Sequence, residues 1–118
     1  MSVVQVFGID DSQGTRAALR FFRERRIDVS YVDLRRRPPA AAELRRFIER
    51  FGARALLDAD SRAHRDAGLG HLVLTDDELA ERLRTDPRLL RLPLVRVGSG
   101  VAIGRDEAAW KRLLADHG

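Results

Sequence analysis

Val3-Val4-Gln5-Val6-Phe7-Gly8, running directly into Ile9-Asp10-Asp11-Ser12-Gln13-Gly14-Thr15-Arg16, is the stretch on which the fold turns. Residues 3–8 are β-branched or aromatic around a single glutamine up to the closing Gly8, the composition of a buried strand. Near Arg16 the pattern becomes helical. A strand that stops at a helix N-terminus aims unpaired backbone N–H groups and a positive dipole end at whatever occupies the turn. Such a cradle can stabilise a thiolate or an oxyanion. Here the turn offers Ser12, and the chain contains no cysteine at all.

Outward from this turn the periodicity changes in order. Ala18, Leu19 and Phe22 share one face of a helix from Thr15 to Arg26, while Arg16, Arg20, Arg23 and Glu24 face water. Val29, Tyr31 and Val32 form a short strand ending at Asp33, and Arg35-Arg36-Arg37-Pro38-Pro39 breaks regular structure. The unit is β-α-β, long enough for parallel strands joined by a right-handed crossover. A helix from Ala40 to Phe51 presents Leu44, Phe47, Ile48 and Phe51, with Gly52 as its C-cap. Arg54 to Leu57 is short and apolar, and Arg62 to Ala67 makes a short helix ended by Gly68. Thr75 with Glu78 is a capping box opening a helix toward Asp86 and Pro87. Leu92-Pro93-Leu94-Val95-Arg96-Val97, the turn Gly98-Ser99-Gly100 and Val101-Ala102-Ile103 read as a hairpin. A helix over 106–116 closes the chain, with Ala109, Trp110, Leu113 and Leu114 for packing.

Composition narrows the class. At 118 residues, 44% hydrophobic and 34% charged, the chain fits one domain, 1–118, with a helical insertion at about 40–90. No window reaches the roughly 18 apolar residues of a membrane span, and the N-terminus lacks signal-peptide regions, so a cytoplasmic location is the default expectation. Without cysteine, disulfides and thiol redox chemistry by this chain alone are excluded, as are the commonest zinc ligands. His64, His71 and His117 have no metal-ligand spacing, and no metal is expected. The net charge of +4 rests almost wholly on arginine, Lys111 being the only lysine. Acidic residues (Glu24, Glu43, Glu49, Glu78, Glu81) interleave with the basic ones, a pattern of solvated faces and not of a phosphate-tracking stripe. Direct nucleic-acid binding is therefore not expected.

The order β-α-β, helical insertion, β-hairpin, α describes an α/β thioredoxin-like fold with a mixed four-stranded sheet flanked by helices. Specific residues then carry a resemblance to the arsenate reductase (ArsC) family, which includes the Spx-type transcription regulators. They are Phe7-Gly8-Ile9, Arg16, Ala18, Phe22, Ile27 and Asp33. Pro39 with Glu43-Leu44, Ala55-Leu56-Leu57, Asp66-Ala67-Gly68-Leu69, Pro87 with Leu89-Leu90, Pro93 and Ile103-Gly104-Arg105 continue the series. By this resemblance the nucleophilic cysteine falls at Ser12, and the second cysteine of the Spx-type switch at Thr15. The family's arginines beside the thiolate fall near Asp58, Leu92 and Arg105. Only Arg105 matches, with Arg62 and Arg91 close in sequence. The resemblance also implies a cis peptide before Pro93, facing the turn and leaving the Leu92 backbone free for a peptide or glutathione-like ligand.

A serine hydroxyl forms no disulfide, and its high pKa disfavours an alkoxide without a general base. The chain thus reads as an arsenate-reductase-like protein without thiol reductase activity, a ligand- or protein-binding module. Its expected surface is Ser12, Gln13, Gly14, Thr15, Arg16, Leu92, Pro93 and Arg105. No cofactor is required, although the resemblance admits glutathione. Two alternatives stay open: a glutathione-linked enzyme in which Ser12 activates an external thiol, and an Spx-type regulator that binds RNA polymerase. Ser12 also has a purely structural reading as an N-cap, and Arg16 and Arg105 as ordinary surface arginines. Asp10 and Asp11 would compete for the same N–H groups and oppose a bound anion, or serve as the site's own internal anion.

Overall fold

A computed structural model describes residues 3–69 and 72–117. His71 lies outside the described residues. The elements are β1 (Val4–Gly8), α1 (Gln13–Glu24), β2 (Val29–Asp33), α2 (Ala41–Phe51), α3 (Ala53–Leu56), α4 (Arg62–Ala67), α5 (Asp76–Thr85), a 3-10 turn (Pro87–Leu89), β3 (Leu94–Val97), β4 (Gly100–Ile103) and α6 (Glu107–His117). They form two compact units. One combines the chain up to Arg37 with the chain from Leu92 onward, and the other is Pro38–Arg91.

The first unit is built on a four-stranded sheet in the order β2-β1-β3-β4. β1 runs parallel to β2, with Val4 opposite Val29 and Gly8 opposite Asp33. β3 is antiparallel to β1 and β4 to β3. This is the mixed sheet that the strand order predicts. Its central position explains why β1 is apolar apart from Gln5: Val4, Val6, Phe7 and Gly8 are buried, residues of both faces among them. Ala18, Phe21 and Phe22 of α1 and Trp110 and Leu113 of α6 pack with Val4, Val6, Val95 and Val97 in one core. Trp110 meets Phe21 and Phe22 at ring-centroid distances of 5.3 and 6.0 Å. Each of these large side chains contributes roughly 1.5–3 kcal/mol by leaving water.

The helix ends shift by one or two residues from the sequence reading, and three strand boundaries differ. Val3 stays outside β1 and is 58% exposed, because β2 offers no partner before Val29. β3 begins at Leu94, after Pro93, which has no N–H to give a ladder. Gly100 belongs to β4, opposite Val97, so the hairpin turn is Gly98-Ser99 with Gly98 at φ 59°.

The end of α1 is a left-handed cap. The N–H of Arg26 donates to the carbonyl of Arg23 (2.9 Å) and that of Ile27 to Phe22 (3.0 Å), with Arg26 at φ 56°. This is the Schellman pattern, in which glycine is the usual residue.

In the second unit, Leu44 and Phe47 of α2, Ala53 and Leu56 of α3, and Leu79 and Leu83 of α5 are buried. The capping box of α5 is complete: the Thr75 hydroxyl accepts from the Glu78 N–H (3.1 Å) and the Glu78 carboxylate from the Thr75 N–H (3.0 Å). Ser61 caps α4, and Gly68 ends it in the left-handed conformation. An antiparallel bridge joins Leu57 to Leu90, reinforced by Asp58 N–H to Leu89 O (2.8 Å) and Arg91 N–H to Leu56 O (2.7 Å). No local signal announces this pairing across the unit.

Candidate functional site

β1 delivers the chain at Gly8 into the turn before α1. Ser12 is the N-cap: it has extended backbone angles, and its Oγ accepts from the Thr15 N–H at 3.2 Å. Its backbone carbonyl accepts from the Arg16 N–H at 3.0 Å. The N–H groups of Gln13 and Gly14, the first two of the helix, have no intrahelical acceptor to reach. They face the turn. Because the Ser12 oxygen accepts in the cap, its own O–H remains able to donate to a group placed there.

Thr15 is placed differently from its neighbours. It is fully buried, its Oγ1 accepts from the Ile9 N–H at 3.4 Å, and its side chain covers Gly8. A Cβ on Gly8 would stand 2.9 Å from Thr15 Cβ, so the strand approaches the helix this closely only with glycine there. Thr15 therefore ties turn to strand and presents no surface.

Gly14 brings the second half of the site in. It lies against the main chain of Leu92, whose bond to Pro93 is cis. Neither the N–H nor the C=O of Leu92 pairs with a described residue. Pro93 is buried, and its carbonyl accepts from the Gly104 N–H at 2.9 Å, which places the backbone of Arg105 next to the Leu92-Pro93 segment. Arg105 and Arg16 are both exposed, and neither pairs with a described acid. Gly14, next to the Ser12 cap, thus touches the Leu92-Pro93 segment, the backbone of Arg105 follows the Gly104–Pro93 bond, and Arg16 lies one helical turn beyond Ser12.

The two carboxylates of the turn are held by β2 and by the turn that follows it. Asp10 accepts from the Tyr31 hydroxyl at 2.7 Å, and Asp11 pairs with Arg35. Burial, and next the hydrogen bond to Asp10, push the Tyr31 phenol well above its ordinary range, so it stays a donor. The Asp33 carboxylate accepts from the Arg35 N–H at 3.0 Å. Neither Tyr31 nor Arg35 was legible as part of the turn. The parallel register of β1 and β2 brings them there, and one aromatic and one arginine carry no motif.

Arg62 and Arg91 belong to the second unit. Arg62 pairs with Asp66 at 3.8 Å, and Arg91 donates to the Leu57 carbonyl at 3.4 Å. The backbone N–H of His64 donates to Ser61 Oγ, while the ring of His117 lies over Gly100.

This architecture has close counterparts among solved structures. The YFFB protein matches with a TM-score of 0.86 at 17% identity, covering 95% of this chain and 99% of that one. Arsenate reductase from Vibrio cholerae matches at TM-score 0.78 and 20% identity, covering 97% of each chain. An arsenate reductase related protein from Brucella melitensis matches at 0.69 and 18%, covering 93% of this chain and 92% of that one. At such identities the likeness establishes the thioredoxin-like fold. No curated protein matches significantly by sequence. No helix among the described residues is long and apolar enough to cross a membrane. The model of the ArsC family matches residues 7–113, so the chain, which has no cysteine, belongs to the ArsC family.

Proposed function

We propose that this chain is an ArsC-family binding module without thiol reductase activity, taking an extended, anionic, peptide-like ligand on the surface of Ser12, Gln13, Gly14, Leu92 and Arg105. The observation that carries the reading is the unpaired main chain of Leu92 lying against Gly14 at the start of α1. Its N–H and C=O can pair with a backbone, as an added strand does. The N–H groups of Gln13 and Gly14, with the helix dipole, favour a carboxylate or thiolate beside them, and Arg105 adds a cation. Tyr31 and Arg35 support the same reading by occupying Asp10 and Asp11, the two groups that would compete for those N–H donors.

The serine itself supports binding over nucleophilic chemistry. One of its two oxygen lone pairs is engaged in the cap, and the chain has no thiol to form the adducts that thiol-dependent reduction needs. One observation favours a second reading, a glutathione-linked enzyme: the free Ser12 O–H can donate to the sulfur of a bound external thiol and favour its thiolate. Both readings use one surface, and they part on turnover.

The test uses glutathione as the probe. Titration followed by backbone amide shifts should move Gln13, Gly14 and Leu92, and Arg105→Ala should weaken binding by about tenfold, as loss of a charged hydrogen bond does. Arsenate reduction coupled to glutathione or thioredoxin should stay at the level of a matched blank. Turnover abolished by Ser12→Ala would establish the enzyme instead. Amide shifts confined to other surfaces would remove the site.

A further inference from the structure

Arg26 occupies a backbone conformation that the described residues otherwise reserve for glycine. Among the described residues, Gly52, Gly68, Gly98 and Gly104 hold the other positive φ angles, and Arg26 alone of the non-glycines joins them, at 56°. An L side chain is disfavoured there, and such positions persist where the side chain serves a purpose. A cation at a helix C-terminus does interact favourably with the dipole. Arg25 already fills that role, donating to the Phe21 carbonyl at 3.0 Å with its guanidinium 3.6 Å from the Phe21 ring centroid. The Arg26 side chain pairs with no described residue.

What Arg26 does border is a groove of about 530 Å³. Leu19, Ile27, Val29 and Tyr31 form its apolar lining, and Arg23 and Arg26 stand at it as cations. Asp28 is the single acidic residue there. The groove follows β2, which pairs only with β1 and leaves its outer main chain without a strand partner among the described residues. β2 reads Val29-Ser30-Tyr31-Val32-Asp33, with neither the proline nor the lysine that commonly guards an edge. The opposite edge differs: β4 begins at Gly100 beneath Leu113 and His117 of α6, where a Cβ would not fit.

We propose that the β2 edge and this groove dock an extended acidic segment of a partner protein as a fifth strand. Its main chain pairs with β2, alternate apolar side chains enter the lining of Leu19, Ile27, Val29 and Tyr31, and its carboxylates meet Arg23 and Arg26. Charge decides the occupant. A second copy paired edge to edge about a two-fold axis would run antiparallel and set Arg26 beside the Arg35-Arg36-Arg37 run that follows the other copy's β2, in a chain of net charge +4. This docking edge is separate from the surface at Ser12.

The strained position makes the test sharp, because stability and binding should move in opposite directions. The probes are short peptides alternating glutamate with valine or leucine, and their lysine counterparts, read by anisotropy and by amide exchange. The glutamate peptides should bind and slow exchange within Val29–Asp33, and the lysine peptides should not. Arg26→Gly should raise the unfolding midpoint yet weaken peptide binding by about tenfold, the scale of one charged contact. Arg23→Glu with Arg26→Glu should abolish binding, while Lys111→Glu with Arg112→Glu on α6 should leave it within about twofold. Absence of binding, protection outside β2, or unchanged affinity in Arg26→Gly would overturn the proposal. Concentration-dependent dimerisation that itself protects β2 would overturn it in favour of a second copy.

Discussion

Gly14 of α1 packs against the main chain of Leu92, so that a Cβ added to it would stand 3.2 Å from Pro93 Cδ, 3.3 Å from the Leu92 carbonyl carbon, and closer still to the carbonyl oxygen. Alanine favours a helix over glycine by about 1 kcal/mol. Overpacking against a backbone atom that cannot swing aside costs about 1–3 kcal/mol. Gly14→Ala should therefore be net destabilising, by about 1 kcal/mol in chemical denaturation. A variant as stable as the parent would show that Leu92 does not hold this position.

Thr15→Val keeps the shape over Gly8 but removes the acceptor of the Ile9 N–H. Leaving a buried donor unpaired costs about 1–3 kcal/mol. The bond is long, 3.4 Å, so a loss near the lower end is expected. The measurement is the denaturation midpoint with an unchanged slope. No loss would mean that the Ile9 N–H finds another acceptor.

Ser12→Cys tests the electrostatics of the cradle. The helix N-terminus and Arg105 favour a thiolate, so the new thiol should titrate below its ordinary value of about 8.5. Asp10 and Asp11 act against this, but Tyr31 and Arg35 engage them. The pH dependence of alkylation should shift upward in an added Arg105→Ala change, and upward again with Arg35→Ala, which frees the Asp11 carboxylate. An ordinary or raised thiol pKa, insensitive to both, would show that the turn no longer stabilises an anion.

The second unit should lose stability in acid. Glu78 titrates below its ordinary value because it accepts from the Thr75 N–H, and Glu81 does so because it pairs with Arg84. A carboxyl whose folded value is depressed stabilises the fold above its unfolded value, and that contribution fades as pH falls through the folded one. Melting temperature should thus drop between about pH 5 and 3. In Glu78→Gln the drop should be smaller, since amide and acid then differ least. Equal acid sensitivity of both proteins would assign it to other groups.

Much of the fold was legible because local rules and long-range packing agree here. The apolar residues around Gln5 in β1 belong to a strand buried on both faces, and the parallel pairing with β2 follows from a helix between two short strands. The end of α4 and the start of α5 are local chemistry, readable from Gly68, Thr75 and Glu78. The Leu57–Leu90 bridge was not legible, since its partners lie far apart in the chain and each looks like an ordinary apolar residue.

For the candidate site, the sequence by itself determined the absence of a thiol and the placing of Ser12 where a strand becomes a helix. The N-cap follows from that alone, because a hydroxyl at the first unpaired turn has a backbone N–H within reach. Only the tertiary structure decided the rest. The β1–β2 register sets Tyr31 and Arg35 on Asp10 and Asp11, the close approach at Gly8 turns Thr15 inward, and Gly14 admits the Leu92 main chain. Arg26 belongs with these, since no pattern of residue types announces an arginine at a left-handed helix end. Each depends on two segments meeting at a distance that a side chain either permits or blocks, and the order of residues along one segment does not contain that distance.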